Sequence, residues 1–237
     1  DLSSSSYETI ISENNFFNTG LLISSDKDCH NTVTNNIVNS KPLIYLDDAS
    51  DLVFDGDAGQ IFLINCTNIT VKNQELFNTS VGIQLVESNT CIISGNIIAN
   101  NSCVWWDYDW WGGQGICLSG HSNTNTILSN TLIGNRNEGI LLTSKSHHNN
   151  IINNTITNSF DGIYLWGNYA NYQIITNNTI TGNIITNNQN TGIHLYDSYE
   201  NIITDNTITN TNNYSIYITN SKDNQIYHNS FINATIN

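Results

Sequence analysis

A repeat of about 23 residues, apolar residues that alternate within it, and a composition hostile to helices together predict an all-β solenoid. The expected form is a right-handed, single-stranded parallel β-helix of about eight to nine coils. Of the 237 residues, 43 are Asn, 35 Ile, 25 Thr and 23 Ser, together 126 positions and over half the chain. Asn and β-branched residues are poor helix formers, and Ala, Glu, Lys and Arg are scarce, which disfavours bundles and coiled coils. Asn-rich chains are often disordered. This one is 38% hydrophobic with periodic apolar positions, so a packed core is expected instead.

The elements follow in order. Residues 1–29 fall outside the repeat and carry Phe16, Phe17, Leu21, Leu22 and Ile23, so they are expected to cap the first coil. Residues 30–237 are expected to form the β-helix. Its first coils are irregular, with Ile44-Tyr45-Leu46 and Ile61-Phe62-Leu63. From Ile61 one column continues through Ile83, Ile116, Ile140, Ile163, Ile193 and Ile216, at steps of 22, 33, 24, 23, 30 and 23. The two long steps predict insertions near 100–113 and 183–190. Ile-x-Leu alternation signals short strands with the aliphatic side chains inward. Gly before most of these Ile residues is expected to supply a turn with positive φ. A second column, Asn96, Asn130, Asn154, Asn178, Asn206 and Asn229, joined loosely by Asn73, predicts corner residues whose amides bond from coil to coil. Thr155-Ile156-Thr157, Thr179-Ile180-Thr181 and Thr207-Ile208-Thr209 should stack into one outward Thr strip. Ser230-Phe231-Ile232 still follows the repeat, so an open C-terminal coil is expected, available for homo-assembly.

Function must lie in residues that break this bias. The residues one and three after the column Ile should point outward. Down the coils these are Gln84 and Val86, Cys117 and Ser119, Leu141 and Thr143, Tyr164 and Trp166, His194 and Tyr196, Tyr217 and Thr219. Tyr164, Trp166, His194, Tyr196 and Tyr217 therefore form a candidate binding strip, because aromatic faces stack on sugar rings and anchor interfaces. The first insertion holds Trp105, Trp106, Trp110 and Trp111, a second candidate contact for carbohydrate or a surface protein. Glu138 and Asp161 each precede the Gly of adjacent coils, so they should lie about 4.8 Å apart, a candidate catalytic pair. Asp47, Asp48, Asp51, Asp55 and Asp57 are weak Ca²⁺ candidates, without EF-hand spacing. Cofactors are otherwise not expected. The histidines share no column, which disfavours a histidine metal site.

A net charge of −14, from 6 basic and 20 acidic side chains, excludes the Lys/Arg surface that nucleic acid or an anionic membrane requires. No apolar run reaches the ~20 residues of a membrane span. Asp1 in place of an initiator Met fits a processed leader or a chain cut from a longer one. The five cysteines, Cys29, Cys66, Cys91, Cys103 and Cys117, lack zinc-type spacing and read equally as one or two disulfides or as buried thiols.

The recurring Asn-Asn-x-Ile-x-x-Asn and Gly-Ile-x-Leu units resemble the parallel β-helix repeat of the NosD-like proteins over roughly residues 30–237. That resemblance implies an exported β-helix, extracellular, on the cell surface or in the periplasm. The family spans surface proteins, carbohydrate-active enzymes and copper-site maturation factors. The leading expectation is a structural, adhesive or carbohydrate-binding module without catalysis. The alternatives are a polysaccharide hydrolase, lyase or epimerase using Glu138 and Asp161, and a periplasmic copper-maturation accessory protein.

Overall fold

A computed structural model describes residues 2, 6, 8–23, 30–102 and 112–233. The chain winds into three long sheets. A ten-stranded sheet runs from Asn15–Phe16 to Tyr214–Thr219, an eight-stranded sheet from Ser50–Phe54 to Gln225–Tyr227, and a seven-stranded sheet from Glu75–Phe77 to Ser230–Ile232. Strand pairing in them is parallel except between Ile37–Val38 and Lys41–Asp47. The expected Ile column stands in register through Ile44, Ile61, Ile83, Ile116, Ile140, Ile163, Ile193 and Ile216. From Ile61 to Ile193 these residues, with Leu63, Leu85, Leu118, Leu142, Leu165 and Leu195, are fully buried in one continuous core. Each contributes roughly 1.5–3 kcal/mol over remaining exposed.

Asn ladders line the corners. The Asn130 backbone N–H donates to Asn154 Oδ1 at 2.9 Å, and Asn154 repeats this to Asn183 Oδ1 at 2.9 Å. Asn154 Nδ2 also donates to the Ile127 carbonyl at 2.9 Å. The column is Asn96, Asn130, Asn154, Asn183, Asn206 and Asn229, entered by Gln74 rather than Asn73. Asn178 belongs to a second ladder with Asn125, Asn149, Asn201 and Asn224.

One misplaced insertion explains that difference. Twelve residues separate Trp166 from Thr179, whereas six separate Thr143 from Asn150 in the preceding coil. The extra residues lie at 167–174, where a 3₁₀ turn spans Tyr169–Asn171. They do not lie at 183–190, because Ile184–Thr186 pairs regularly with Thr155–Thr157 and Thr207–Thr209. Thr179–Thr181 accordingly sits in the eight-stranded sheet, and Ile184 interrupts the expected Thr strip. The first insertion stands where expected. Fourteen residues separate Ala99 from Gln114, against four between Ile133 and Glu138.

The column glycines do a different job from the one expected. Gly139 and its equivalents are absent from the positive-φ positions, where Asn is the commonest residue. A Cβ on Gly139 would meet Ile156 Cγ2 at 2.4 Å and the Gly162 carbonyl oxygen at 2.7 Å. Glycine is required there for close approach of the corner to the core.

The N-terminal residues wind as well as cover. Ile10–Ser12 pairs in parallel with Thr32–Thr34, so a coil has already begun. Leu21 and Ile23 then lie against the outer face of the long sheet. Gln60 Nε2 donates to the Leu21 carbonyl at 2.7 Å and Gln84 Nε2 to the Ile23 carbonyl at 2.8 Å. Leu2, Leu21, Ile23, Phe62, Ile64, Val86, Cys117 and Leu141 form a second core outside the coil. At the other end Ile226, Phe231 and Ile232 are exposed on the last described strands.

Candidate functional site

The outward column of the long sheet changes character along its length. Phe62, Gln84, Cys117 and Leu141 are at most 3% exposed, as are Val86 and Ser119 beside them, while Thr143 is 4% exposed. The column points outward as expected, but in this half it is buried in the second core rather than open to solvent. The cover ends at Leu141, and Tyr164, Trp166, His194, Tyr196 and Tyr217 follow on adjoining coils in register. Tyr164 and His194 stack with ring centroids 4.2 Å apart and planes within 4°. His194 and Tyr217 are 5.0 Å apart and tilted, and Tyr217 stacks on Tyr214 at 4.9 Å. Successive parallel strands place equivalent rings one rung apart, which brings them to stacking distance.

Glu138 and Asp161 occupy paired positions at the start of adjacent strands Glu138–Thr143 and Asp161–Trp166. Asp161 Oδ1 accepts from Asn190 Nδ2 and from the Thr191 backbone N–H, each at 2.8 Å. Asp161 Oδ2 faces His194 Nδ1 at 3.4 Å. Glu138 Oε2 accepts from Gln114 Nε2 at 3.0 Å. Burial pushes the Glu138 carboxyl up to about 7, opposed by the Gln114 amide and reinforced by the nearby Asp161 charge. Burial first, and then these two carboxylates, push the Tyr164 phenol well above its usual range.

These two sets of residues meet. A cavity of about 310 Å³ is lined by Glu138, Leu141, Phe160, Asp161, Tyr164, Trp166, Asn190 and His194. Both carboxylates and three of the five strip residues, Tyr164, Trp166 and His194, which the sequence presents as separate features, line this one cavity. Phe160 and Asn190 are additions that no sequence signal marked, because each is a turn residue in a column of mixed types. Tyr196 lines a second, more open depression beyond Trp166. Chemically, the first cavity offers flat aromatic walls, hydrogen-bonding groups and one carboxyl able to hold a proton near neutrality. Among the described residues no Lys or Arg lines it.

Among the described residues no other candidate lines this cavity. Trp105, Trp106, Trp110 and Trp111 lie outside the described residues, as do Cys29 and Cys103. Cys66, Cys91 and Cys117 are buried and unpaired, with burial raising each thiol, Cys91 to about 11. The acidic cluster divides among different partners. Asp51 accepts from Asn68, Asp55 lies 3.7 Å from Lys72 and Asp57 4.0 Å from Lys41. Asp47 and Asp48 instead approach His30, with one ligand atom of each of the three within 4.8 Å of the others.

Topology and site together define the class, a parallel β-helix with a ligand-sized cavity on one outer face. The family model described as "Right handed beta helix region" matches residues 2–156, and the one described as "Periplasmic copper-binding protein (NosD)" matches residues 112–237. Each spans more than half of the chain, which belongs to the NosD-type right-handed β-helix family. A soft-ligand set of the kind Cu(I) prefers does not assemble among the described residues: Met is absent from the sequence, and the one His/Cys/Asp/Glu cluster joins His30 to the hard carboxylates Asp47 and Asp48.

Solved structures share the fold. A point variant of the periplasmic alginate epimerase AlgG superposes with a TM-score of 0.60 at 14% identity, covering 96% of this chain and 64% of that one. A second AlgG structure gives 0.56 at 16% identity, covering 85% and 59%. The Streptococcus pneumoniae surface protein and adhesin PfbA gives 0.45 at 14%, covering 97% and 84%. The chain thus spans less than two thirds of the epimerase's length. No curated protein matches the sequence. No helix of the described residues is long and apolar enough to cross a membrane.

Proposed function

We propose that this β-helix is an exported carbohydrate-handling protein that seats a neutral sugar in the cavity between Glu138, Asp161, Tyr164, Trp166 and His194. The observation that carries this reading is the convergence of aromatic walls and buried hydrogen-bonding groups on one 310 Å³ cavity. Sugar rings offer C–H faces to aromatic rings and hydroxyls to carboxylates and amides. The chemistry selects neutral glycans over uronic ones. Two carboxylates line the cavity, no described cation does, and the chain carries a net charge of −14, so an acidic sugar would be repelled. Extracellular, surface or periplasmic placement agrees with the periplasmic description of the family.

A second reading, acid catalysis, is favoured by one observation. Glu138 holds its proton to about pH 7 beside a carboxylate that accepts two N–H bonds. A carboxyl that keeps its proton near neutrality suits a general acid. Binding to an array of neutral and acidic glycans, with wild type and Trp166→Ala, tests the main reading. Neutral glycans should bind wild type, and the variant should lose at least roughly tenfold in affinity. Equal binding by both proteins would remove the cavity from the account. Reducing-end release from the bound glycan, abolished in Glu138→Gln, would establish the second reading.

A further inference from the structure

We propose that Trp166 divides two adjacent sugar subsites, so that the ligand is a neutral oligosaccharide lying along the strands, across the axis of the β-helix. This rests on the carbohydrate reading above. Beyond Trp166 lies a second depression of about 700 Å³, whose lining includes Trp166, Asn168, Tyr169, Tyr196, Asp197 and Asn220. Trp166 belongs to both cavities and is their shared wall.

The arrangement follows one strand. Asp161 opens the strand Asp161–Trp166, and Trp166 closes it. Five residue steps at about 3.3 Å each carry the strand roughly 16 Å from Asp161 to Trp166, whereas coils repeat at only ~4.8 Å. A ligand occupying both cavities must therefore run with the strand.

The far wall is the inserted turn 167–174, and it is built rather than loose. Asn168 caps the 3₁₀ segment Tyr169–Asn171, accepting from the Asn171 N–H. The Tyr169 backbone N–H donates to Asp197 Oδ2 at 2.9 Å, and the Gly167 N–H to the Tyr196 carbonyl at 2.7 Å. A Cβ on Gly167 would lie 2.2 Å from the Asp197 carbonyl oxygen, so the turn packs directly on the next coil. Pinned in this way, Tyr169 is still 62% exposed and Tyr172 79%. An insertion that costs six residues, anchors itself and then presents tyrosine beside a cavity suits a stacking platform. Asn168, Asn220 and Asp197 supply hydroxyl-binding groups, and no described Lys or Arg lines this cavity either.

The test is an array of neutral and uronic oligosaccharides of one to six units, probed with wild type and Tyr169→Ala. Tyr169 is exposed, and an unchanged melting temperature will verify that the variant folds. Wild-type affinity for neutral glycans should rise roughly tenfold or more from one unit to three. Tyr169→Ala should keep single-unit binding and lose most of that rise. Length-independent binding, identical in both proteins, would overturn the second subsite and leave the first. Failure of every neutral glycan to bind would overturn both, and preference for uronic chains would overturn the neutral class.

Discussion

The outer face of the long sheet is core at one end and site at the other. At Phe62, Gln84, Cys117 and Leu141 the column is sealed, the first two beneath Leu21 and Ile23. At Tyr164, His194 and Tyr217 the same column opens to solvent by degrees, with Tyr217 39% exposed. Sheet, register and inner core are shared, so the side chains of the outer face and what packs on them separate the two halves. Where aliphatic and amide side chains meet the cover, the face stabilises the fold. Where aromatics stand without it, the face is left for a ligand.

Substitutions can break this contrast. Phe62→Ala in the covered half should cost about 3–5 kcal/mol in urea unfolding, because an outward residue has become core. Glu138, at the boundary, should impose a pH dependence. Its folded pKa of about 7 lies above the unfolded carboxyl value, so its contribution to stability is full below about pH 4.5 and is lost as pH rises through 7. The expected loss is on the order of 3 kcal/mol, and Glu138→Gln should abolish that slope in melts from pH 4 to 8. Gln84→Ala removes one bond to the cover and should cost about 1–2 kcal/mol. Tyr217→Ala in the open half should change stability by less than about 1 kcal/mol. If Tyr217→Ala were as damaging as Phe62→Ala, the two halves would not differ as described.

Much of the fold was legible because one rung is repeated. The Ile column stands in register at each predicted position, since a buried aliphatic ladder tolerates no slip. The carboxylate pair and the aromatic strip were legible for the same reason, as fixed offsets from that column. Their convergence was not, because the step from Leu141 to Tyr164 carries no sign that the cover stops. Nor was the inserted turn placed correctly. Asn178 and Asn183 each follow an Ile by three residues, Ile175 and Ile180, so the sequence alone does not tell which of them fills the ladder position that Asn183 takes. Gly before a column Ile reads as a turn residue, yet Asn is the commonest residue at positive φ, and the tight fit of Gly139 against Ile156 appears only in three dimensions.

The most direct measurement is NMR of the histidine ring protons during titration with the neutral oligosaccharide that binds best. His194 lies in the cavity, stacked on Tyr164, whereas His121 and His228 lie outside it. The account predicts that His194 shifts on binding and that His121 and His228 stay in place. Shifts at His121 or His228 with His194 unmoved would contradict it.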